Sequence, residues 1–162
     1  MNRHIAIYPG SFDPFTNGHM DIVHRGLEIF EKLIIAVACN SEKSGFFTFQ
    51  ERVDLITELV ADNPRVQVEV LDGLLVDYVL EKEARVILRG LRAVTDFEFE
   101  FQLAQMNHTV CEQVETLFMM TSPECAYLSS SVVKEVGRLG GDISKFVPPL
   151  VLEALQKKFA EE

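Results

Sequence analysis

The stretch Tyr8-Pro-Gly-Ser-Phe-Asp-Pro-Phe-Thr-Asn-Gly-His19 joins two segments of different hydrophobic period. The run before it, Ile5-Ala-Ile-Tyr8, is typical of a short buried strand, whereas the run from Gly18 to about Phe30 has helical spacing. The glycines and prolines between them predict a turning loop. A strand, a loop and a helix in this order present backbone N–H groups and the positive end of a helix dipole at one place, which suits an anion such as phosphate.

Further apolar, strand-like runs recur along the chain, with helix-length segments between them. The strands are expected at residues 4–8, 33–39, 66–71, 85–89 and 116–120. The helices are expected at residues 18–30, 48–61, 74–83, 95–111, 129–139 and 148–160. In the fourth helix Phe97-Glu-Phe-Glu-Phe101 alternates like an edge strand, but the length of the segment and its four-residue spacings favour a helix.

This alternation of helices with continuous apolar strands predicts an α/β fold. We expect a Rossmann-like, doubly wound sheet of five parallel strands with helices on both faces. Ligands of such sheets bind beyond the carboxyl ends of the strands, where the strand order reverses. The loops expected to converge there span residues 11–19, 40–47, 89–96 and 121–131.

The composition is that of a single domain spanning residues 1–162. The chain is 48% hydrophobic, but no apolar run approaches the roughly 18 to 20 residues of a membrane-spanning helix, and no signal sequence opens it. Cys39, Cys111 and Cys125 lie far apart and lack metal-ligand spacing. We therefore expect a cytoplasmic protein without a metal site of its own.

The charge balance limits the classes of partner. A formal net charge of −10 argues against general binding to nucleic acid or anionic membranes, because both require a positive surface. A small anionic ligand can still bind where the few basic residues converge.

Two basic side chains are candidates for such a site. His19 is expected in the first turn of the helix after the first strand, where a side chain faces the anion site, whereas the other histidines lack this context. Lys43 follows the second strand and can reach a phosphate there. The alternative for Lys43 is a solvated lysine in a polar loop.

A pair of arginines follows the apolar run Val86-Ile-Leu88. Burying the guanidinium groups of Arg89 and Arg92 near a strand end is costly without an anionic partner, and phosphate is one such partner. The alternative is a pair of salt bridges to the acidic segment that follows.

Consecutive serines precede the fifth predicted helix. Ser129, Ser130 and Ser131 can serve as a helix N-cap, or can line a pocket for phosphate oxygens together with the free N–H groups of the helix. Neither interpretation excludes the other. The chain has no Walker-type loop and no serine nucleophile elbow, so direct transfer on a bound nucleotide is favoured over a covalent enzyme intermediate.

These motifs resemble those of a known family. The run Thr16-Asn-Gly-His19 and the three serines resemble the two signature motifs of the nucleotidyltransferase superfamily. Tyr8-Pro-Gly-Ser-Phe-Asp-Pro14 and Arg89-Gly-Leu-Arg-Ala-Val-Thr-Asp-Phe-Glu-Phe-Glu100 resemble the bacterial phosphopantetheine adenylyltransferases more specifically. The resemblance covers nearly the whole chain.

The resemblance implies transfer of the adenylyl group of ATP to 4'-phosphopantetheine, with Mg2+, to give dephospho-coenzyme A and pyrophosphate. It implies that His19, Lys43, Arg92 and Ser131 are catalytic, His19 by stabilising charge on the α-phosphate. It implies phosphopantetheine contacts at Ser11, Lys43, Leu75 and Arg89. It implies ATP contacts at Ser11, Phe12, His19, Gly90, Leu91, Arg92, Glu100, Cys125, Ala126, Tyr127, Leu128, Ser129, Ser130 and Ser131.

The chain departs from the family pattern at several positions. Family members commonly carry Lys-Lys-Pro at Lys43-Ser-Gly45, tyrosine at Phe99 and tryptophan at Cys125, and threonine is usual at Ser11. These changes bear on how strongly the substrates bind. The resemblance further implies a homohexamer and feedback binding of coenzyme A. The alternatives are a nucleotidyltransferase with another phosphorylated acceptor and a non-catalytic nucleotide-sensing module.

Overall fold

The computed structural model describes residues 4–39 and 45–161. Its strands are β1 (Ile5–Gly10), β2 (Lys32–Ala38), β3 (Val66–Leu71), β4 (Val86–Leu91) and β5 (Glu115–Met120). They form one sheet in the order β3-β2-β1-β4-β5, and every neighbouring pair is parallel.

Helices connect these strands. They are α1 (Asn17–Ile29), α2 (Phe49–Leu59), α3 (Leu75–Glu81), α4 (Val94–Val110), α5 (Ser130–Arg138) and α6 (Pro149–Glu161), with a 3₁₀ turn at Pro123–Cys125. The segment with alternating phenylalanines is helical, as its length predicts. No helix in the described ranges is long and apolar enough to cross a membrane.

The predicted fold class is confirmed: the sheet is doubly wound, has five parallel strands and is covered by helices on both faces. The fourth strand runs further than expected. Gly90 and Leu91 pair in register with Met119 and Met120 of β5, so they belong to β4 and not to the loop after it. The continuing backbone ladder with β5 extends the strand past the point where the apolar run stops.

Both faces of the central strands are buried. One face of β2 packs against α1, α2 and α6 through Leu33, Ile35 and Val37. The opposite face packs against α3 through Ile34 and Ala36. This two-sided burial explains why the strands read as continuous apolar runs. β1 lies between β2 and β4, so the chain moves to opposite sides of β1 and leaves a crevice at its carboxyl end.

An arginine from outside the helix closes the carboxyl end of α1. The Arg65 Nη2 group donates to the Phe30 carbonyl at 2.8 Å and also to the Leu27 carbonyl, and Nε donates to the Glu31 carbonyl at 3.0 Å. The Leu27 and Phe30 carbonyls belong to the end of α1, where carbonyls lack partners within the helix, and Glu31 follows directly. Arg65 therefore fastens α1 to the segment that leads into β3.

Replacing Arg65 by methionine should lower the free energy of unfolding by about 1 to 2 kcal/mol, because the apolar stem stays while the donors to the helix end are lost. Urea denaturation measures this change. Arg65→Lys is the matched control and should recover part of the loss, and equal stability of all three proteins would contradict the capping role.

Candidate active site

A cleft of about 310 Å³ opens at the carboxyl ends of β1 and β4. Its walls are the loop after β1, the first turn of α1, the end of β4, the start of α4 and the start of α5. The predicted residues that line it are Ser11, Phe12, His19, Arg89, Gly90, Arg92, Glu100, Leu128, Ser129, Ser130 and Ser131. The loops after β1, β4 and β5 therefore meet as the fold predicts.

The described part of the loop after β2 does not line the cleft. It contacts the loop after β1, because the N–H groups of Phe46 and Phe47 donate to the Asp13 carboxylate. Lys43 lies outside the described residues, so its role stays a prediction.

His19 is part of the N-terminal cap of α1. Thr16 is the N-cap residue, and its side chain accepts a hydrogen bond from the His19 N–H at 3.4 Å. In return Nδ1 of His19 accepts the Thr16 backbone N–H at 2.9 Å. This is a reciprocal capping box with histidine in the place usually held by Glu or Gln.

The cap fixes the chemistry of the imidazole. Because Nδ1 accepts a backbone N–H, the neutral ring carries its hydrogen on Nε2. Burial, and then the positive charges of Arg92 and Arg89, lower the pKa of His19 from 6.5 to about 4. At neutral pH the side chain is a fixed, uncharged hydrogen-bond donor.

Aromatic rings hold the imidazole from several sides. The ring centroids of Phe12 and Phe15 lie 5.1 and 5.3 Å from that of His19, and Tyr8 lies 6.5 Å away. Phe12 has a φ angle of +50°, a left-handed conformation that non-glycine residues adopt at a cost. In this strained conformation the Phe12 ring packs against the imidazole of His19.

Carboxylates from α4 hold both arginines. Arg89 donates from Nε to Glu100 at 2.6 Å, from Nη2 to the same carboxylate, and from Nη1 to the Pro9 carbonyl at 2.6 Å. Arg92 donates to both oxygens of Asp96 at 2.9 Å. The salt bridges to the acidic segment, which were the alternative prediction for these arginines, are therefore formed. Both ion pairs also line the cleft. An anionic ligand has to compete with these carboxylates.

The close fit of α1 against β4 depends on Gly90. A Cβ atom at this position would lie 3.0 Å from Cγ1 of Ile22, a residue with no exposed surface. The missing side chain lets the helix that carries His19 lie close to the strand that carries Arg89.

A second cavity of about 410 Å³ adjoins the cleft. Both are lined by Pro9, Gly10, Ser11, Arg89 and Glu100. The second cavity adds an apolar wall made by Leu75, Phe99 and Leu103. Leu75 thus faces this cavity and does not line the cleft itself.

The three serines have different roles. Ser129 is the N-cap of α5 and accepts the Val132 N–H at 3.1 Å, as the capping interpretation predicts. Ser130 donates to the Pro14 carbonyl at 2.7 Å and so ties α5 to the loop after β1. In the described ranges the Ser131 hydroxyl has no protein partner, which leaves it available to a ligand.

Asp21 fastens the loop after β5 to α1. Its carboxylate accepts the Ser122 N–H at 2.8 Å and the Ser122 hydroxyl at 2.6 Å. Burial raises the pKa of Asp21, but the two hydrogen bonds from Ser122 and the nearby Arg25 outweigh it, so the net pKa is lowered. The carboxylate is ionised when it holds the loop.

Some predicted contacts lie beyond the walls of the cleft. Leu91, Cys125, Ala126 and Tyr127 do not line it. Tyr127 is 64% exposed and packs edge-on against Phe146, and Cys125 lies near Gly18. Their roles stay predictions.

Two residues that sequence reasoning did not single out support the loop after β1. Arg52 is buried in α2 and donates from Nη1 to the Ser11 carbonyl at 2.8 Å. The Asp13 carboxylate accepts backbone N–H groups from the loop after β2. Asp13 stands inside the motif, but its partners are far away in the sequence, so no local signal indicates its role.

The cap predicts a specific titration of His19. In an NMR titration the imidazole should remain the Nε2–H tautomer down to about pH 4. The folded state disfavours the protonated ring, so the free energy of unfolding should fall as the pH drops from about 6.5 towards 4. His19→Gln should flatten this part of the profile and identify the signals. A ring protonated near pH 6.5 would contradict the assignment.

Comparison with known proteins gives consistent matches. Residues 7–136 match the Cytidylyltransferase-like family. The chain is 62% identical over 161 residues to a phosphopantetheine adenylyltransferase from Syntrophotalea carbinolica, covering 99% of this chain and 97% of the relative. The proteins of that name from Geobacter metallireducens and Alkaliphilus metalliredigens are 60% and 51% identical, over 99% and 95% of this chain and 99% and 98% of their own lengths.

The fold is also found among solved structures. One example is the crystal structure of a protein provisionally named nicotinate-nucleotide adenylyltransferase from Vibrio parahaemolyticus, with a TM-score of 0.72 and 20% identity, covering 98% of this chain and 96% of that one. At this identity the similarity supports the fold alone.

Proposed function

The chain belongs to the phosphopantetheine adenylyltransferases, within the Cytidylyltransferase-like family, and we propose from this premise how its cleft works. The enzyme transfers the adenylyl group of ATP to 4'-phosphopantetheine and forms dephospho-coenzyme A and pyrophosphate. The identity of 62% along nearly the whole chain carries this assignment. The geometry of the cleft supports a residue-level mechanism.

The transferred group would pass directly between the substrates. A phosphate oxygen of phosphopantetheine attacks the α-phosphorus of ATP, a new P–O bond forms, and the bond to the leaving pyrophosphate breaks. No general base is needed, because the attacking phosphate is already ionised. The Nε2–H of His19 donates to an α-phosphate oxygen, where negative charge is redistributed in the transition state.

The remaining predicted contacts divide between the two cavities. Arg92, the N–H groups at the start of α5 and Ser131 bind the phosphates of ATP, with Leu91 and Cys125 to Tyr127 towards the adenine. Arg89, Ser11 and Lys43 bind the phosphate of phosphopantetheine. The apolar cavity at Leu75 takes the pantetheine arm.

Mg2+ would enter with ATP. Within residues 4–39 and 45–161 no group of three His, Cys, Asp or Glu side chains is placed to hold a metal ion. Mg2+ commonly binds through substrate phosphates and few protein ligands, so the phosphates of ATP suit it as the main ligands. The ion would screen the charge of the departing pyrophosphate.

The second cavity favours phosphopantetheine over other phosphorylated acceptors. A long, flexible arm with an apolar part matches a cavity of about 410 Å³ that shares Arg89 with the cleft. A nucleotide acceptor would put a polar base against Leu75, Phe99 and Leu103. The non-catalytic alternative predicts ATP binding without release of pyrophosphate.

His19→Ala should reduce turnover by about 100- to 1000-fold while ATP still binds, because the lost donor acts mainly on the transition state. A coupled assay of pyrophosphate release with Mg-ATP and phosphopantetheine measures the rate, and calorimetry measures ATP binding. Near-normal turnover of the variant would exclude His19 as the stabilising group.

The same assay run with a panel of phosphorylated acceptors separates the alternative functions. Release only with phosphopantetheine supports the proposal. Release with a nucleotide or a sugar-alcohol phosphate would assign another acceptor, and no release with any acceptor would support a nucleotide-sensing module.

We also propose a homohexamer, on the family resemblance, and the exposed apolar surface of α4 and β5 supports contacts between subunits. Met106 and Val110 of α4 are 63% and 56% exposed, and Met120 at the end of edge strand β5 is 71% exposed. Apolar surface of this extent on one face is typical of an interaction site.

We propose a cytoplasmic location, which the free cysteines support. Feedback binding of coenzyme A would use the same two cavities as the substrates.

The assembly is testable by sedimentation velocity. The wild type should sediment with the mass of six chains, and Met106→Asp should dissociate it by placing a charge in the interface. Ile29→Asp, at a residue 66% exposed on α1, is the matched control and should leave the assembly intact. A monomeric wild type would contradict the proposed hexamer.

A further inference from the structure

One carboxylate joins separate parts of the chain beside the cleft. Oδ2 and Oδ1 of Asp13 accept the N–H groups of Phe46 and Phe47, each at 2.8 Å. Oδ2 also accepts from Nζ of Lys134 in α5 at 3.2 Å. The loop after β1, the loop after β2 and α5 therefore meet at a single side chain.

The junction is close-packed. The side chains of Asp13 and Lys134 are only 12% and 21% exposed. A Cβ atom at Gly45 would lie 2.8 Å from the Phe47 carbonyl oxygen and 3.1 Å from Oδ2 of Asp13, so the backbone approaches the carboxylate more closely than a side chain permits. The charge-assisted hydrogen bonds that the Asp13 carboxylate accepts from Phe46, Phe47 and Lys134 hold the two loops and α5 in one arrangement.

The junction reaches His19 through the neighbouring residue. Phe12, directly before Asp13, holds its left-handed φ of +50° and places its ring centroid 5.1 Å from that of His19. A strained backbone persists only when its surroundings fix it, and the Asp13 contacts fix the residue that follows the strained one. A shift at Asp13 would therefore move the ring that packs against the imidazole.

The junction also reaches the serines at the start of α5. Ser130 donates to the Pro14 carbonyl, and Lys134, one turn later on the same face of α5, donates to Asp13. These contacts tie α5, and with it Ser131, to consecutive residues of the loop that leads into α1. The orientation of α5 relative to His19 depends on them.

We propose that Asp13 is a positioning residue of the transfer reaction, which keeps His19 and the start of α5 in register without touching either substrate. This inference rests on the proposed function. In-line transfer requires the donors on both sides of the α-phosphate to be placed together, and a misplacement of about 1 Å can cost about 100-fold in rate. The loss should therefore appear in kcat and leave the KM values nearly unchanged.

The test measures kcat and both KM values for Asp13→Asn, Lys134→Met and Lys134→Arg. Asp13→Asn keeps one acceptor oxygen and the shape of the side chain, and should lower kcat by about 10- to 100-fold. Lys134→Met keeps the two backbone hydrogen bonds and should lower kcat by about 3- to 10-fold. Lys134→Arg should restore most of that loss. KM values should change less than about 3-fold.

Lys82→Met is the matched control. Lys82 is 25% exposed and pairs with Glu69 away from the cleft, so its loss removes a comparable ion pair without touching the junction. It should leave kcat unchanged. Thermal melting of every variant identifies losses due to unfolding, and if Asp13→Asn does not fold, the two Lys134 variants and this control decide the outcome.

The inference would be overturned if Lys134→Met kept the wild-type kcat, or if Lys134→Arg did not restore the kcat that Lys134→Met loses. A change confined to the KM values would overturn it as well. The NMR signals of His19 give a readout that does not depend on activity, and they should shift in Lys134→Met but not in Lys82→Met. If the wild type itself releases no pyrophosphate while these signals shift, the proposed function fails and the positioning contact stands. Unshifted signals would overturn the positioning role.

Discussion

The hydrogen bond from the Thr16 N–H to Nδ1 of His19 sets the chemical character of the cleft. It completes the cap of α1, so the same contact that starts the helix also orients the imidazole. It occupies the ring nitrogen that would otherwise be free to take a proton, and the surrounding aromatic rings and arginines keep the ring neutral. The capping box that starts α1 therefore also fixes a hydrogen-bond donor, the His19 imidazole, at the N-terminus of the helix.

The electrostatics of the cleft reconcile an acidic chain with anionic substrates. The net charge of −10 gives no general attraction for anions. The two arginines at the end of β4 are matched by Glu100 and Asp96, one turn apart on α4. A ligand gains little from charge alone and has to replace a bidentate carboxylate, which favours phosphate groups that offer the same paired oxygens.

The sequence predicted the fold well because the fold is encoded in short-range patterns. Among the described residues, apolar runs and helical spacing identify each strand and α-helix, including α4, where length outweighed the alternating phenylalanines, but they do not identify the 3₁₀ turn at Pro123–Cys125. Where β4 ends is set by its ladder with β5, and composition does not report that pairing. The sequence likewise predicts that Arg89 lies at the cleft, but it does not indicate whether the guanidinium pairs with a phosphate or with Glu100.

The Asp13 junction could not be predicted from the sequence, because its partners lie 33, 34 and 121 residues away and share no sequence pattern with it.

The tight seat of α1 on β4 has a consequence for how this enzyme can vary. Gly90 has no side chain that could reach a substrate, yet a methyl group there would lie 3.0 Å from Cγ1 of fully buried Ile22 and would require Ile22 to shift on the helix that carries His19. The packing of α1 against β4 thus depends on the absence of a side chain at this position. Substitution at residue 90 is therefore limited by packing between a helix and a strand, and not by contact with a substrate.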